Sequence, residues 1–111
     1  MSKGLVKGSL QIIIMKLLKE KGRMYGYEIS QVVKEVTSGE ILLTEGALYP
    51  ALHKMEKEGL LTASTELVEN RARKYYALSK EGMSEVEIKL KETQNYMGNL
   101  ALLLNLNPKL T

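Results

Sequence analysis

The side chains of this sequence that are equipped for chemistry are mostly cationic and phenolic, and they are unevenly placed. Lys16, Lys19, Lys21 and Arg23 form one basic cluster, and Arg71, Arg73 and Lys74 form a second. Lysine and arginine at such density pair with phosphates, arginine by a planar fork and lysine as a point charge. A third group, His53, Lys54 and Lys57, follows Thr44, Glu45, Gly46 and Tyr49 at helical spacing. Tyr25 and Tyr27 stand close together at the start of a further segment.

What the sequence lacks narrows the chemistry. There is no Cys, which removes disulfides, thiolate catalysis and cysteine-based zinc sites. His53 is the one His, so no His-based metal site can assemble within one chain. No paired carboxylates, nucleophile–base arrangement or Gly-rich phosphate loop is visible, and an enzyme is not expected. The sequence points to no cofactor and no metal. The net charge of +3 is compatible with a nucleic-acid partner but too small to identify one, so the clustering of the charge carries the inference.

The elements that must position these residues can be read from periodicity. In 111 residues there is room for one domain and an added helix. The apolar run from Leu10 to Leu18 contains Gln11 and Lys16, lacks a cleavage site, and is too short to span a bilayer. A cytoplasmic protein is expected. Between Leu5 and Glu20, Leu10, Ile13, Ile14, Leu17 and Leu18 fall on one helical face. Leu5, Ile12 and Met15 are placed on the other side, which calls for a second covering surface. Gly22 suits the end of that helix.

A second helix is expected over Tyr25–Val36, with Ile29, Val32, Val33 and Val36 in one stripe, broken by Thr37-Ser38-Gly39-Glu40. Thr44 is a good N-cap for a third, running to Gly59 with Leu48, Leu52 and Met55 inward. Pro50 is expected to bend that helix without ending it. Leu60–Glu66 and Lys74–Leu78 read as strands, joined by a charged connection Leu67–Arg73 in which Asn70 suits a positive φ. After Ser79 a long helix runs to about Leu106, near Pro108. Along it Met83, Val86, Leu90, Thr93, Met97, Leu100 and Leu104 alternate steps of three and four, a heptad seam. The expected fold is mainly α with a small β-hairpin: a winged helix-turn-helix over residues 1–78, and a dimerisation helix with its tail over 79–111.

The run Thr44-Glu45-Gly46-Ala47-Leu48-Tyr49-Pro50-Ala51-Leu52, closed by Glu56-Lys57-Glu58-Gly59-Leu60, resembles the recognition helix of the PadR family of bacterial repressors. Tyr25-Gly26-Tyr27-Glu28 resembles that family's entry to the second helix. Arg73-Lys74-Tyr75-Tyr76, followed by Leu78, Ser79 and Gly82, resembles its second wing strand. The resemblance as a whole spans residues 8 to about 82, and the short C-terminal region resembles the branch with a single last helix. Two departures stand out. The wing tip Glu69-Asn70-Arg71-Ala72 lacks glycine, and no Trp is present where some small members stack planar drugs, Thr93 falling there in a rough alignment.

The resemblance implies a homodimeric repressor of double-stranded DNA. The helix from Thr44 would enter the major groove, which admits one helix. Gly46 would let backbone approach a phosphate, and His53, Lys54 and Lys57 would reach bases or phosphates. Glu45 faces either a cytosine or repulsion from phosphate. Tyr25, Tyr27 and Tyr49 either donate hydroxyls to phosphates or only pack. Arg71, Arg73 and Lys74 would follow the backbone or dip into the minor groove. Leu5, Ile12, Met15, Met83, Val86, Leu90, Met97, Leu100 and Leu104 are the expected dimer interface, with packing inside one chain as the competing reading. Met15 and Met97 would make it soft enough to admit a small apolar effector. The alternative function is a winged-helix protein-interaction module that does not bind specific DNA.

Overall fold

The computed structural model describes residues 3–106; of the helix and tail expected over 79–111, residues 107–111, Pro108 included, lie outside the described residues. Helix α1 spans Lys3–Lys21, strand β1 Met24–Tyr25, helix α2 Gly26–Val36 and helix α3 Glu45–Lys57. Strands β2 (Leu61–Val68) and β3 (Arg71–Leu78) form the wing, and helix α4 (Lys80–Leu103) closes the chain. The three strands make one antiparallel sheet in the order β1-β3-β2, and the fold is a winged helix.

Helix α1 is the centre of the molecule, in contact with α3, β3 and α4. Its buried residues are Leu10, Ile14, Met15 and Leu18. Apolar side chains at 12, 13 and 17 complete a nearly all-round apolar surface, and a helix of that kind belongs in a core. Met15 therefore joins Ile14 and Leu18 inside rather than facing outward, because α4 of the same chain supplies the second cover. Val86 of α4 is likewise fully buried. Both residues, expected at a subunit interface, belong to the chain's own core.

The expected stripes of α2 and α3 are observed, with Ile29, Val33, Leu48, Leu52 and Met55 buried. Val36, placed in the α2 stripe, is exposed. The helix ends follow local chemistry. Thr44 caps α3 by accepting from the Ala47 amide at 3.2 Å. Gly22 ends α1 at φ +86°, a left-handed conformation that costs glycine little.

The wing departs from expectation. Its strands extend to Val68 and Arg71, which pair directly, so the connection expected over Leu67–Arg73 shrinks to Glu69-Asn70. Both turn residues have positive φ, +52° and +63°, as a two-residue hairpin turn requires to match the strand twist. Asn70 was expected to have a positive φ; Glu69 was not. Strand β1 was also unforeseen, since two residues are too few to show a period.

The first turn of α4 docks on the end of α3. The Ser79 amide donates to the Leu60 carbonyl at 2.9 Å, and the Ser79 hydroxyl donates to the Gly59 carbonyl and accepts from the Gly82 amide. A Cβ on Gly82 would lie 2.1 Å from that Leu60 carbonyl, so only glycine lets the helix start so close to the chain below it. Beyond Leu90 the helix leaves the core. Tyr96, Met97, Leu102, Leu103, Leu104 and Leu106 are all exposed. The radius of gyration of 15.3 Å exceeds the ~13 Å of a compact chain this long, as a projecting helix would produce.

Candidate nucleic-acid interface

Helix α3 presents Gly46, Pro50, His53, Lys54 and Lys57 to solvent on one face, its apolar stripe being turned into the core. The helix continues through Pro50, which removes one backbone donor from the ladder. Nothing lies within 4 Å of a Cβ placed on Gly46, so the start of α3 is sterically open. Thr44 and Glu45 are exposed beside it. The flank of α3 facing α1 opens into a groove of about 750 Å³, with Leu43, Ala47 and Ala51 among its walls.

The opposite flank of α3 is pinned at two points. Tyr49 is half-buried, and a Cβ on Gly26 would fall 2.6 Å from its hydroxyl, so the Tyr49 ring lies directly on the first residue of α2. Lower down, Lys74 of β3 donates to Glu56 of α3 at 3.1 Å. The Glu56 carboxylate is the first of the causes that hold the Lys74 ammonium above its ordinary range, ahead of the Tyr76 hydroxyl. The wing is thus tied to the helix beside it by an ion pair.

Strand alternation divides the wing's cations. Lys74 shares the core-side face with Tyr76, whose ring it approaches at 5.2 Å. Arg71 and Arg73 lie with Tyr75 on the outward face. Arg71, Arg73 and Lys74, expected as one patch, are two groups with different surroundings, because neighbours on a strand point to opposite sides.

The outward face holds a stack of four side chains. Arg73 lies 4.1 Å over the ring of Tyr25, Tyr25 meets Tyr75 edge-on at 5.5 Å, and Arg23 lies 4.1 Å over Tyr75. Arg23 also forms a 2.6 Å ion pair with Glu66 of β2. That bond is the main reason the Glu66 carboxyl is held below its usual range and the Arg23 guanidinium is raised. Tyr25 precedes α2, and its amide donates to Glu28; Tyr27, two residues on, is exposed. Arg23 was visible in sequence only as part of a basic cluster with Lys16, Lys19 and Lys21. Its partners Tyr75 and Glu66 lie far along the chain, and no local signal links them.

Of the residues expected between subunits, Leu5, Met83, Met97 and Leu104 are exposed and Ile12, Leu90 and Leu100 half-buried, whereas Met15 and Val86 are not accessible. Among the described residues no group of His, Asp or Glu is arranged to hold a metal ion, and no helix is long and apolar enough to cross a membrane.

Comparison with known proteins gives this geometry its context. Residues 14–88 match the family described as the transcriptional regulator PadR-like family. An uncharacterized protein of Lysinibacillus sphaericus is 33% identical over 89 residues, covering 79% of this chain and 81% of its own. The structure of a transcriptional regulator from Clostridium thermocellum aligns with a TM-score of 0.80 at 30% identity, covering 90% of this chain and 94% of that one. Bacillus subtilis PadR, solved in complex with operator DNA, aligns with a TM-score of 0.66 at 30% identity. The alignment covers 73% of this chain but 46% of that protein, so the chain spans about half of its length.

Proposed function

This chain belongs to the PadR-like family of transcriptional regulators, and we propose that it acts as a sequence-specific DNA-binding repressor, as a homodimer on a palindromic operator in the cytoplasm. The observation that carries this reading is the placement of α3. Its solvent face of Gly46, His53, Lys54 and Lys57 is fixed beside a wing bearing Arg71 and Arg73, by Lys74–Glu56 on one element and Tyr49 on Gly26 on another. A rigid helix with a polar face and an adjoining cationic hairpin suits the major groove and its neighbouring backbone.

On this reading His53, Lys54 and Lys57 reach base edges and phosphates, and Glu45 meets a base. Thr44 and Gly46 bring the α3 N-terminus to a phosphate. Tyr25, Tyr27, Arg71 and Arg73 contact backbone. Lys74 and Tyr49 act mainly by fixing the wing and α2 against α3. The domain over residues 1–78 reads DNA, and the helix from 79 joins the subunits. Leu5, Ile12, Met83, Leu90, Met97, Leu100 and Leu104 are the proposed contact, supported by the exposed apolar surface beyond Leu90. A small apolar effector seated between subunits would release DNA by changing the spacing of the two recognition helices, about 34–36 Å for one DNA turn.

The test is a salt series of binding to genomic fragments around the protein's own gene, with shuffled competitor. Tight binding to one fragment that survives competitor and weakens steeply with salt is expected. Equal weak binding to every fragment, or none, would defeat the reading and favour a protein partner for α4.

A further inference from the structure

The stack on the outward face of the wing is more elaborate than a scaffold for Arg71 and Arg73 requires. We propose that Arg23 is a DNA-backbone contact and that Glu66 is its intramolecular stand-in, a carboxylate occupying the place a phosphate takes in the complex. The proposal rests on the DNA-binding reading above and adds to it a residue and a built-in competitor.

Three observations carry it. The two guanidiniums are held alike, each 4.1 Å over a tyrosine ring, with the rings meeting edge-on between them. A guanidinium stacked by its flat face keeps its N–H edge for an anion. Arg23 already holds an anion on that edge, the Glu66 carboxylate at 2.6 Å, while among the described residues Arg73 has no carboxylate within ion-pair distance. The second observation is position. Tyr25 immediately precedes α2, and Gly26 beside it lies under Tyr49 of α3. Arg23, Arg73 and Arg71 thus run from just before β1 to the wing tip on the outward face of the sheet, in line with the wing cations proposed to follow the DNA backbone. The third is exposure. Both members of the pair are substantially exposed, with side-chain accessibilities of 47% and 45%. Exchange of carboxylate for phosphate therefore needs little desolvation, and an exposed pair resists exchange only weakly.

In the free protein Glu66 neutralises Arg23 and prevents it from adding to non-specific attraction. On the operator the phosphate displaces the carboxylate, which moves to solvent and leaves a residual repulsion. Glu66 should therefore lower affinity, and Arg23 should raise it.

The experiment uses the full chain and the operator fragment recovered in the salt series above. Glu66→Gln, Arg23→Gln and the double variant are compared with the wild-type chain, after thermal unfolding confirms that all fold. Glu66→Gln should bind about three- to tenfold tighter, the scale of releasing one weak exposed ion pair in each of two subunits. Relative to Glu66→Gln, the double variant should lose that gain, and its log–log salt slope should fall by about 0.9 per protomer. Unchanged affinity in Glu66→Gln overturns the stand-in role. Tightening without a change of slope on removing Arg23 also overturns the proposal, since Glu66 would then be a repulsive charge only. If the wild-type chain binds no fragment specifically, the DNA reading itself fails and this inference falls with it.

Discussion

Replacing Gly82 by alanine tests the joint between the wing and α4 quantitatively. The new Cβ would stand 2.1 Å from the Leu60 carbonyl oxygen and 3.1 Å from a Leu78 methyl. Carbon and carbonyl oxygen normally approach no closer than about 3.3 Å, so the first turn of α4 must lift by roughly 1 Å. That movement stretches the 2.9 Å bond from the Ser79 amide to the same carbonyl and disturbs packing around Val86. Overpacking of this kind costs about 1–3 kcal/mol. Helix propensity works in the opposite direction, favouring alanine by about 0.5–1 kcal/mol. The strain is the larger effect, and the net expectation is destabilisation by about 1–2 kcal/mol. A domain of this size should then melt about 4–15 °C lower. Gly98→Ala in the same helix is the control, because nothing lies within 4 Å of its Cβ and only the propensity gain remains. Thermal unfolding by circular dichroism at one fixed protomer concentration reads both. A Gly82→Ala protein as stable as the parent would refute the close approach. A destabilised Gly98→Ala would place that side of α4 in a subunit contact.

Three further outcomes are expected. Glu69→Asn combined with Asn70→Gly relieves two left-handed residues in the wing turn, and should stabilise the hairpin by about 1 kcal/mol, read as slower amide exchange at Val68 and Arg71. Gly26→Ala should destabilise the chain by driving a Cβ into Tyr49, and adding Tyr49→Ala should cost less than the sum of the two single changes, since they share one contact. The Glu66 carboxyl, held down chiefly by its bond from Arg23, should titrate below the usual carboxylate range and return toward it in Arg23→Gln, as followed by NMR. Because the folded-state value is depressed, the pair's contribution to stability is present above the unfolded value and fades as pH falls through the folded one.

The parts of the fold legible in sequence were those written in local chemistry. Thr44 as a cap, Gly22 as a terminator and the inward stripe Leu48–Leu52–Met55 each need only a few neighbouring residues, and each is observed. Helix α1 shows where periodicity fails. With apolar residues on nearly every side, the sequence offers little contrast to select a face, and it is the packing of α4 against α1 that puts Met15 in one core cluster with Val86. The wing is longer than its sequence suggests, because a polar strand at a solvent-exposed tip resembles a loop. What lengthened it was cross-strand pairing up to Val68 and Arg71, a long-range term. The candidate site was legible as residue types but not as groupings. Arg73 and Lys74 are adjacent in the chain yet belong to different faces, one stacked on Tyr25 and the other bonded to Glu56.

The relocation of Met15 and Val86 changes how events at α4 would reach DNA. Had both faced a partner, α4 would be a separable strut, and its movement need not disturb the reading head. Instead Val86 packs in one cluster with Ile14, Met15 and Leu18 of α1, and that same cluster contains Leu48, Leu52 and Met55 of α3. Close-packed interiors transmit displacement because they have little free volume to absorb it. A shift of the first half of α4 is therefore felt by the inner face of α3, with Lys19–Glu87 adding a surface tie between α1 and α4. Beyond Leu90 the residues Met97, Leu102, Leu103 and Leu104 are exposed, and fully burying each would contribute up to about 1.5–3 kcal/mol, which a second chain would supply in the proposed homodimer. In the proposed dimer one helix would lie in both the subunit contact and the core behind α3. Regulation by subunit geometry needs no hinge in such a chain, only a change in how two copies of α4 meet.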